Sequence, residues 1–274
     1  MSVVVITGCS SGIGLASAVH FARQGWTVVA TMRDLSRSTP LRDALIKADV
    51  RADIRRIDVT SDESVGATMA AILVDHGVVD VVIGNAGIGS DGTTEELSVE
   101  EFRSLFETNV LGNVRMLHAV LPSWRARRRG RFIAVGSVCG AIGQPFQDAY
   151  CASKFAVEGM LESLRPVVAQ HGVDISVIEP GLVKGHFATN YVSRVRPDDS
   201  PYARARAALQ TVFDQAAATA ETNDEVALLL WEVATGDRPA LRYQGSEMVA
   251  KMVGLKLKDL TGERLINMTS GWVS

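Results

Sequence analysis

The chain has 274 residues, 47% of them hydrophobic, which is enough apolar material for a large core in one enzyme-sized domain spanning 1–274. A net charge of −3 and a pI near 6.0 exclude the global basic field of a nucleic-acid binder. Three cysteines (Cys9, Cys139, Cys151) form an odd set without a Cys-x2-Cys pair, which speaks against a disulfide framework or a metal site and for a reducing cytosol. No apolar run approaches the ~20 residues that cross a bilayer. The sequence enters its first strand without a signal pattern, so a cytoplasmic protein with no integral membrane segment is expected.

Val3 to Ile6 is an unbroken β-branched run, as in a strand buried on both faces. It opens into Thr7, Gly8, Cys9, Ser10, Ser11, Gly12, Ile13 and Gly14, and then a helical pattern from Leu15 to Gln24. Glycine permits a tight turn and close approach of backbone to a ligand. The helix behind the turn aims its N–H groups and dipole at an anion such as a pyrophosphate. Further strands are predicted at Thr27 to Thr31, ending at Arg55 to Asp58, at Val78 to Gly84, Arg131 to Ser137, Asp174 to Glu179 and Ala240 to Tyr243. Helices are predicted between them, at Pro40 to Ala48, Ser61 to His76, Ser98 to Arg129, Asp148 to His171 and Asn223 to Thr235. This alternation predicts an α/β fold, a doubly wound, seven-stranded parallel sheet with helices on both faces. Ligands of such sheets bind beyond the carboxyl ends of the strands. Gly8 to Gly14, Asn85 to Gly87, Ser137 and Pro180-Gly181 all fall there.

Tyr150 and Lys154 stand at i and i+4 in a predicted helix, so phenol and ammonium face one space. A nearby cation favours the phenolate and lowers the tyrosine pKa from ~10 toward working pH, which makes Tyr150 a general acid/base. Ser137, ending a strand, can hold a substrate oxygen. Taken with the glycine turn, Asp58 to Thr60, Asn85 to Gly87, Asn109 and Pro180-Gly181, these residues resemble the short-chain dehydrogenase/reductase family over at least Ser2 to Phe187. Gly136 to Gly159, Ala30 to Leu35 and Leu241 to Tyr243 are similar to its branch of 17β-hydroxysteroid dehydrogenase type 1 and related retinol dehydrogenases.

The resemblance implies a Rossmann fold and nicotinamide-dependent interconversion of a ketone and a secondary alcohol. Tyr150 would exchange the proton with the substrate oxygen, and Lys154 would hold the nicotinamide ribose. Ser137 would orient the carbonyl, and the backbone carbonyl of Asn109 would hold a water against the lysine. Gly8, Ser10, Ser11, Gly12, Ile13 and Gly14 would cradle the phosphates. Asp58 and Val59 would meet the adenine, while Asn85, Ala86, Gly87, Pro180, Gly181 and Val183 would complete the cofactor wall. An acid after the second strand would grip a ribose 2′-OH. Met32 stands there instead and Arg33 follows, and an arginine fork suits a phosphate. NADP(H) is therefore favoured over NAD(H), with Ser11 as a further hydroxyl and Asp34 as the opposing charge if it turns inward. One departure is Gly185, where the family usually has a threonine that bonds the carboxamide; His186 or a backbone N–H would replace that contact.

Val138, Cys139, Ile142, Pro145, Phe146, Phe187 and Tyr191 suggest an apolar wall for a hydrophobic ketone or alcohol, steroid- or retinoid-like. The substrate loop, about 185–215, reads as polar and irregular, with Arg194, Arg196, Pro197 and Pro201, and suits a lid. The basic cluster from Arg125 to Arg131 ends a helix, where cations complement the dipole. The extension of about 245–274 is amphipathic, with Met248, Met252 and Leu255, and would line the pocket, cover a subunit edge or touch a membrane. Related enzymes pair through the two long helices, and Phe102, Phe106, Met116, Met160 and Leu164 would supply the second apolar stripe of a homodimer, with a tetramer as the alternative. The rival functions are a ketoreductase of polyketide or other secondary metabolism and a nicotinamide-binding regulatory protein without turnover.

Overall fold

The computed structural model describes residues 1–185, 190–194, 200–257, 259–261 and 263, and the backbone alone at 193, 194 and 255. His186, Phe187, Arg196, Pro197, the side chains of Arg194 and Leu255, and the chain from residue 264 onward lie outside the described residues.

The strands are β1 (Val3–Ile6), β2 (Thr27–Met32), β3 (Asp53–Arg56), β4 (Val81–Gly84), β5 (Gly89–Asp91), β6 (Gly130–Val135), β7 (Val173–Glu179), β8 (Tyr191–Arg194) and β9 (Arg242–Gln244). Seven of them form one sheet in the order β3-β2-β1-β4-β6-β7-β9, with every pairing parallel. Side chains alternate across a strand. Val3 and Val5 therefore enter the core on one face, and Val4 and Ile6 the core on the other. Both faces need cover, and helices supply it. On the first face lie α3 (Asp62–His76), α5 (Gly112–Arg127) and α6 (Asp148–Ala169), through Met69, Ile72, Trp124 and Leu161. On the second lie α1 (Gly12–Arg23), α2 (Thr39–Lys47) and α8 (Asn223–Thr235), through Phe21, Leu41 and Leu230. Each such fully buried apolar side chain contributes about 1.5–3 kcal/mol. The order reverses between β1 and β4, which opens the crevice where the glycine turn and Asn85 meet.

The predicted helix from Ser98 to Arg129 is a continuous run with a defect. A capping box of Ser98 and Glu101 starts α4 (Val99–Phe106). A π-helical turn, Glu107–Leu111, then leads into α5. Such turns concentrate at functional sites, and this one carries Asn109. Met116 is 1% exposed and belongs to the core, so it is not part of a spare stripe. Phe102, Met160 and Leu164 are packed against the core from its margin.

The region expected to be irregular is structured at both ends. β8 pairs in parallel with β5 as a two-stranded ribbon, and Ala203–Ala216 forms α7. The sequence of α7 is rich in alanine and arginine, strong helix formers that outweigh its polarity. The extension begins with α9 (Glu247–Lys256), which buries Val249 and Val253 against Val138, Cys139 and Tyr150. Met248 is 60% exposed and does not line the cleft of its own chain. Farther on, the Leu260 carbonyl accepts from Gln244 Nε2 at 3.1 Å and Glu263 accepts from the Leu241 N–H at 2.9 Å, which covers part of the β9 edge. The basic cluster is tied down locally: Arg127 pairs with Asp80 at 3.1 Å and Arg131 with Asp174 at 2.9 Å.

Candidate active site

The carboxyl ends of the strands surround a cleft of about 1390 Å³. That exceeds the ~300–1,000 Å³ of a typical single-ligand pocket and leaves room for a dinucleotide beside a second molecule. Its floor is the turn after β1. Gly8 and Gly12 take φ of +74° and +59°, and a Cβ on Gly14 would lie 2.4 Å from the Gly8 carbonyl oxygen. Ser11 is the N-cap of α1 but its side chain makes no capping hydrogen bond, and the first turn holds no acid. The N-terminal N–H groups and dipole therefore face the cleft uncompensated, as an anion requires.

Asn85 locks this turn to the next strand. Its Nδ2 donates to the Thr7 and Gly8 carbonyls at 2.8 and 3.2 Å, and the Thr7 hydroxyl accepts from the N–H groups of Asn85 and Ala86. The side chain of Asn85 is thus a brace, and the wall it offers a ligand is backbone with Ala86 and Gly87.

At one end of the cleft stand Met32, Arg33, Asp34, Arg37, Asp58 and Val59. Met32 is buried, while Arg33 and Arg37 are exposed along the rim. Asp34 accepts from the Ser36 N–H at 3.0 Å and caps a short turn. That hydrogen bond holds its carboxyl below the usual range, with Arg37 and Arg33 adding to the effect. Asp58 is similarly fixed by Thr60, at 2.7 Å from the hydroxyl. Val59 packs under Gly112. The sequence pointed to Arg33 alone; Arg37, brought back by the turn that Asp34 caps, is the second cation.

At the other end Ser137, Tyr150 and Lys154 converge, drawn from the end of β6 and the first two turns of α6. Each is 7–9% exposed. Ser137 and Tyr150 hydrogen-bond through their side chains, and the Cys139 N–H donates to Ser137 Oγ at 3.1 Å. Lys154 Nζ lies 5.6 Å from the Tyr150 ring centre and donates to the Val135 carbonyl at 2.8 Å. One expectation fails here. Burial pushes the Tyr150 phenol up, against the Ser137 hydrogen bond, so the lowering expected from Lys154 does not prevail. The same burial lowers Lys154 itself to about 8, because a charged ammonium loses its hydration there.

Asn109 is 1% exposed. Its side chain clamps Ile88, accepting from the N–H and donating to the carbonyl, both at 2.9 Å, and also donates to Ser153 at 3.0 Å. Its backbone carbonyl accepts from Asn113 Nδ2 at 2.7 Å. Pro180, Gly181 and Val183 line the cleft. Glu221, which sequence patterns did not single out, pins this stretch: it accepts from the Gly181 N–H at 3.0 Å and exchanges backbone hydrogen bonds with Leu182 and Lys184. Gly185 has φ +145°, a conformation closed to the threonine usual at this place.

The outer wall contains Val138, Cys139, Phe146, Tyr191, Leu209 and Phe213. Two residues expected there are elsewhere: Ile142 packs into the apolar cluster behind the wall and Pro145 is exposed. Arg206 of α7 was not foreseen either. It pairs with Asp91 and, at 3.0 Å, with Glu96, and its guanidinium stacks 4.4 Å from the Phe146 ring. Phe146 itself has φ +61°, a strained backbone for an aromatic residue beside a site. No group of residues able to hold a metal occurs among the described residues.

The family model described as short chain dehydrogenase matches residues 2–196. Retinol dehydrogenase 8 of Bos taurus is 38% identical, over 94% of this chain and 86% of the relative. Human 17-beta-hydroxysteroid dehydrogenase type 1 is also 38% identical, over 97% of this chain and 84% of the relative. A crystal structure of a short-chain dehydrogenase from Streptomyces avermitilis superposes with a TM-score of 0.80 at 27% identity, covering 96% of this chain and 94% of the other.

Proposed function

The chain belongs to the short-chain dehydrogenase family and is an oxidoreductase of CH–OH groups, and from that premise we propose that it uses NADP(H) to reduce a hydrophobic ketone or oxidise the matching secondary alcohol. The observation that carries the proposal is the hydrogen-bonded Ser137 and Tyr150 beside Lys154, at one end of a cleft whose floor is an open helix N-terminus. Bound nicotinamide supplies or accepts the hydride. The chain does the rest. Ser137 and Tyr150 direct two hydroxyls at the substrate oxygen, and Tyr150 exchanges a proton there. A buried phenol that stays protonated is suited to donating to a developing alkoxide. Lys154 orients the ribose and Glu221 holds the cofactor wall.

The exposed cations Arg33 and Arg37, with Asp34 turned to its cap, support NADP(H). The apolar residues of the outer wall support a flat hydrophobic substrate, and the two mammalian relatives, named for a retinol and a steroid, favour that shape. The described residues contain no helix long and apolar enough to cross a membrane. Exposed Leu111 and Phe155 (42% and 37%), on the α4–α5 run and on α6, support a homodimer through those helices.

The test is turnover of steroid, retinoid and polyketide ketones with NADPH, repeated with Tyr150→Phe. The variant should lose roughly 10²–10⁴-fold in rate with cofactor binding intact. A variant within about threefold of the parent means that another group supplies the proton. Turnover confined to polyketide ketones would move the enzyme to secondary metabolism. Cofactor binding without turnover of any substrate would make it a nicotinamide sensor, a role that needs neither Ser137 nor Tyr150.

A further inference from the structure

Two of the three cysteines flank the proton-transfer pair. Cys139 is two residues after Ser137, on the 3-10 turn Val138–Gly140, and Cys151 directly follows Tyr150 on α6. They are 4% and 7% exposed, and Cys139 lines the cleft. Both sulfurs meet at one residue: Cys139 Sγ donates to Gln144 Oε1 at 3.6 Å, and the Gln144 N–H donates to Cys151 Sγ at 3.4 Å. Both residues belong to one packed apolar cluster, and each thiol perturbs the ionisation of the other. Cys9, by contrast, is sealed under β1, donates to the Ile6 carbonyl at 3.2 Å and is pushed up to about 12 by burial.

We propose that Cys139 and Cys151 form a reversible disulfide under peroxide, and that this bond disables the Ser137–Tyr150 pair. Cys151 is the attacking sulfur. The neighbouring Cys139, with the hydrogen bond of the Gln144 N–H, lowers its thiol to about 7, which favours the Cys151 thiolate over that of Cys139. Cys139 is held up as the proton-bearing partner. The thiolate of Cys151 attacks one oxygen of hydrogen peroxide. The O–O bond breaks, hydroxide leaves and takes up a proton as water, and the sulfur becomes a sulfenic acid, oxidised by two electrons. Cys139 sulfur then displaces that hydroxyl, its own proton leaving with it as a second water. Two thiols and one peroxide give one disulfide and two waters.

The bond draws the two sulfurs to about 2 Å from each other. The 3-10 turn and the first turn of α6 are each one or two residues from a reacting hydroxyl, and the Cys139 N–H holds Ser137 Oγ directly. Moving either turn separates Ser137 from Tyr150. Misplacement by ~1 Å costs about 10²-fold in rate.

The chain offers a clean readout. Phe132 to Lys154 contains no internal lysine or arginine, so both thiols fall on one tryptic peptide. The intact protein is treated with hydrogen peroxide, alkylated, digested and weighed, with and without prior thiol reductant. The expected peptide is lighter by two hydrogens and unalkylated, and it regains both alkyl groups after reduction. NADPH turnover, which rests on the proposed function, falls about 10²-fold and recovers with reductant. Cys151→Ala, which leaves the cleft wall untouched, keeps its rate through the same treatment. Full alkylation of the wild-type peptide after peroxide overturns the disulfide, whether or not the protein turns over any ketone. A disulfide that leaves turnover unchanged, or a Cys151→Ala protein inactivated like the parent, overturns the switch.

Discussion

Glu158, one helical turn past Lys154, gives the fold a pH dependence of unusual sign. Glu158 and Glu179 are 5% and 0% exposed, and their carboxyls face each other. Arg242 reaches Glu158 at 3.0 Å and Glu179 at 3.9 Å, and also pairs with Glu162. Gln244 Nε2 donates to Glu179 Oε2 at 2.7 Å. One guanidinium thus serves three carboxyls. Oε1 of Glu158 and of Glu179 each lack a donor, and a single proton shared between them supplies one. Burial first, then the Glu179 charge, pushes Glu158 from 4.5 to about 7, and burial also raises Glu179. In the unfolded chain Glu158 loses its proton near pH 4.5, whereas the folded chain retains it to about pH 7. Between those values the folded state binds more protons, so stability falls as pH rises and the loss is complete above about 7. At roughly 1.4 kcal/mol per pH unit, the interval corresponds to about 3 kcal/mol. Glu158→Gln places a permanent amide donor opposite Glu179 and leaves an acceptor for Arg242. The assay is chemical denaturation of parent and variant from pH 5 to 8, read as the difference between them so that other titrating groups cancel. The variant should gain about 3 kcal/mol relative to the parent across this range, or about 6–10 °C in Tm. Parallel curves for the two proteins would refute the shared proton.

Arg33→Ala should weaken NADPH binding by about 1.5–3 kcal/mol and leave NADH binding nearly unchanged, as a paired titration of both cofactors would reveal; equal losses would point to general damage to the β2 end. Gly14→Ala places a methyl 2.4 Å from the Gly8 carbonyl oxygen and 2.5 Å from Asn85 Nδ2. The turn must open, costing about 1–3 kcal/mol of stability and most of the cofactor affinity. Thermal melts with and without NADPH measure both, and an unchanged melt would mean that the turn tolerates the side chain.

The sheet was legible because β-branched runs such as Val3–Ile6 and Val81–Gly84 can be satisfied only by cover on both faces. The Ser137, Tyr150 and Lys154 set was legible because one lies at a strand end and the others on one helix face. What escaped depends on tertiary contact. Arg206 becomes part of the cleft only because α7 folds back over Phe146. Arg37 returns to the cleft through the cap that Asp34 makes. Glu221 works through backbone of a stretch far from it in sequence. The direction of the Tyr150 phenol was misjudged for a similar reason: spacing reveals the cation at Lys154 but not the depth of burial that opposes it.

The ribbon of β5 and β8 joins the segment after β4 to the segment after β7. Because the two are paired across a register shift between Gly89 and Asp91, a graft that replaces only one arrives without its pairing partner. Altering what the cleft accepts is therefore a two-loop problem. Variation at Gly89–Asp91 has to be drawn together with Tyr191–Arg194, and a library that diversifies both strands at once should yield folded enzymes with new selectivity more often than one that diversifies either alone.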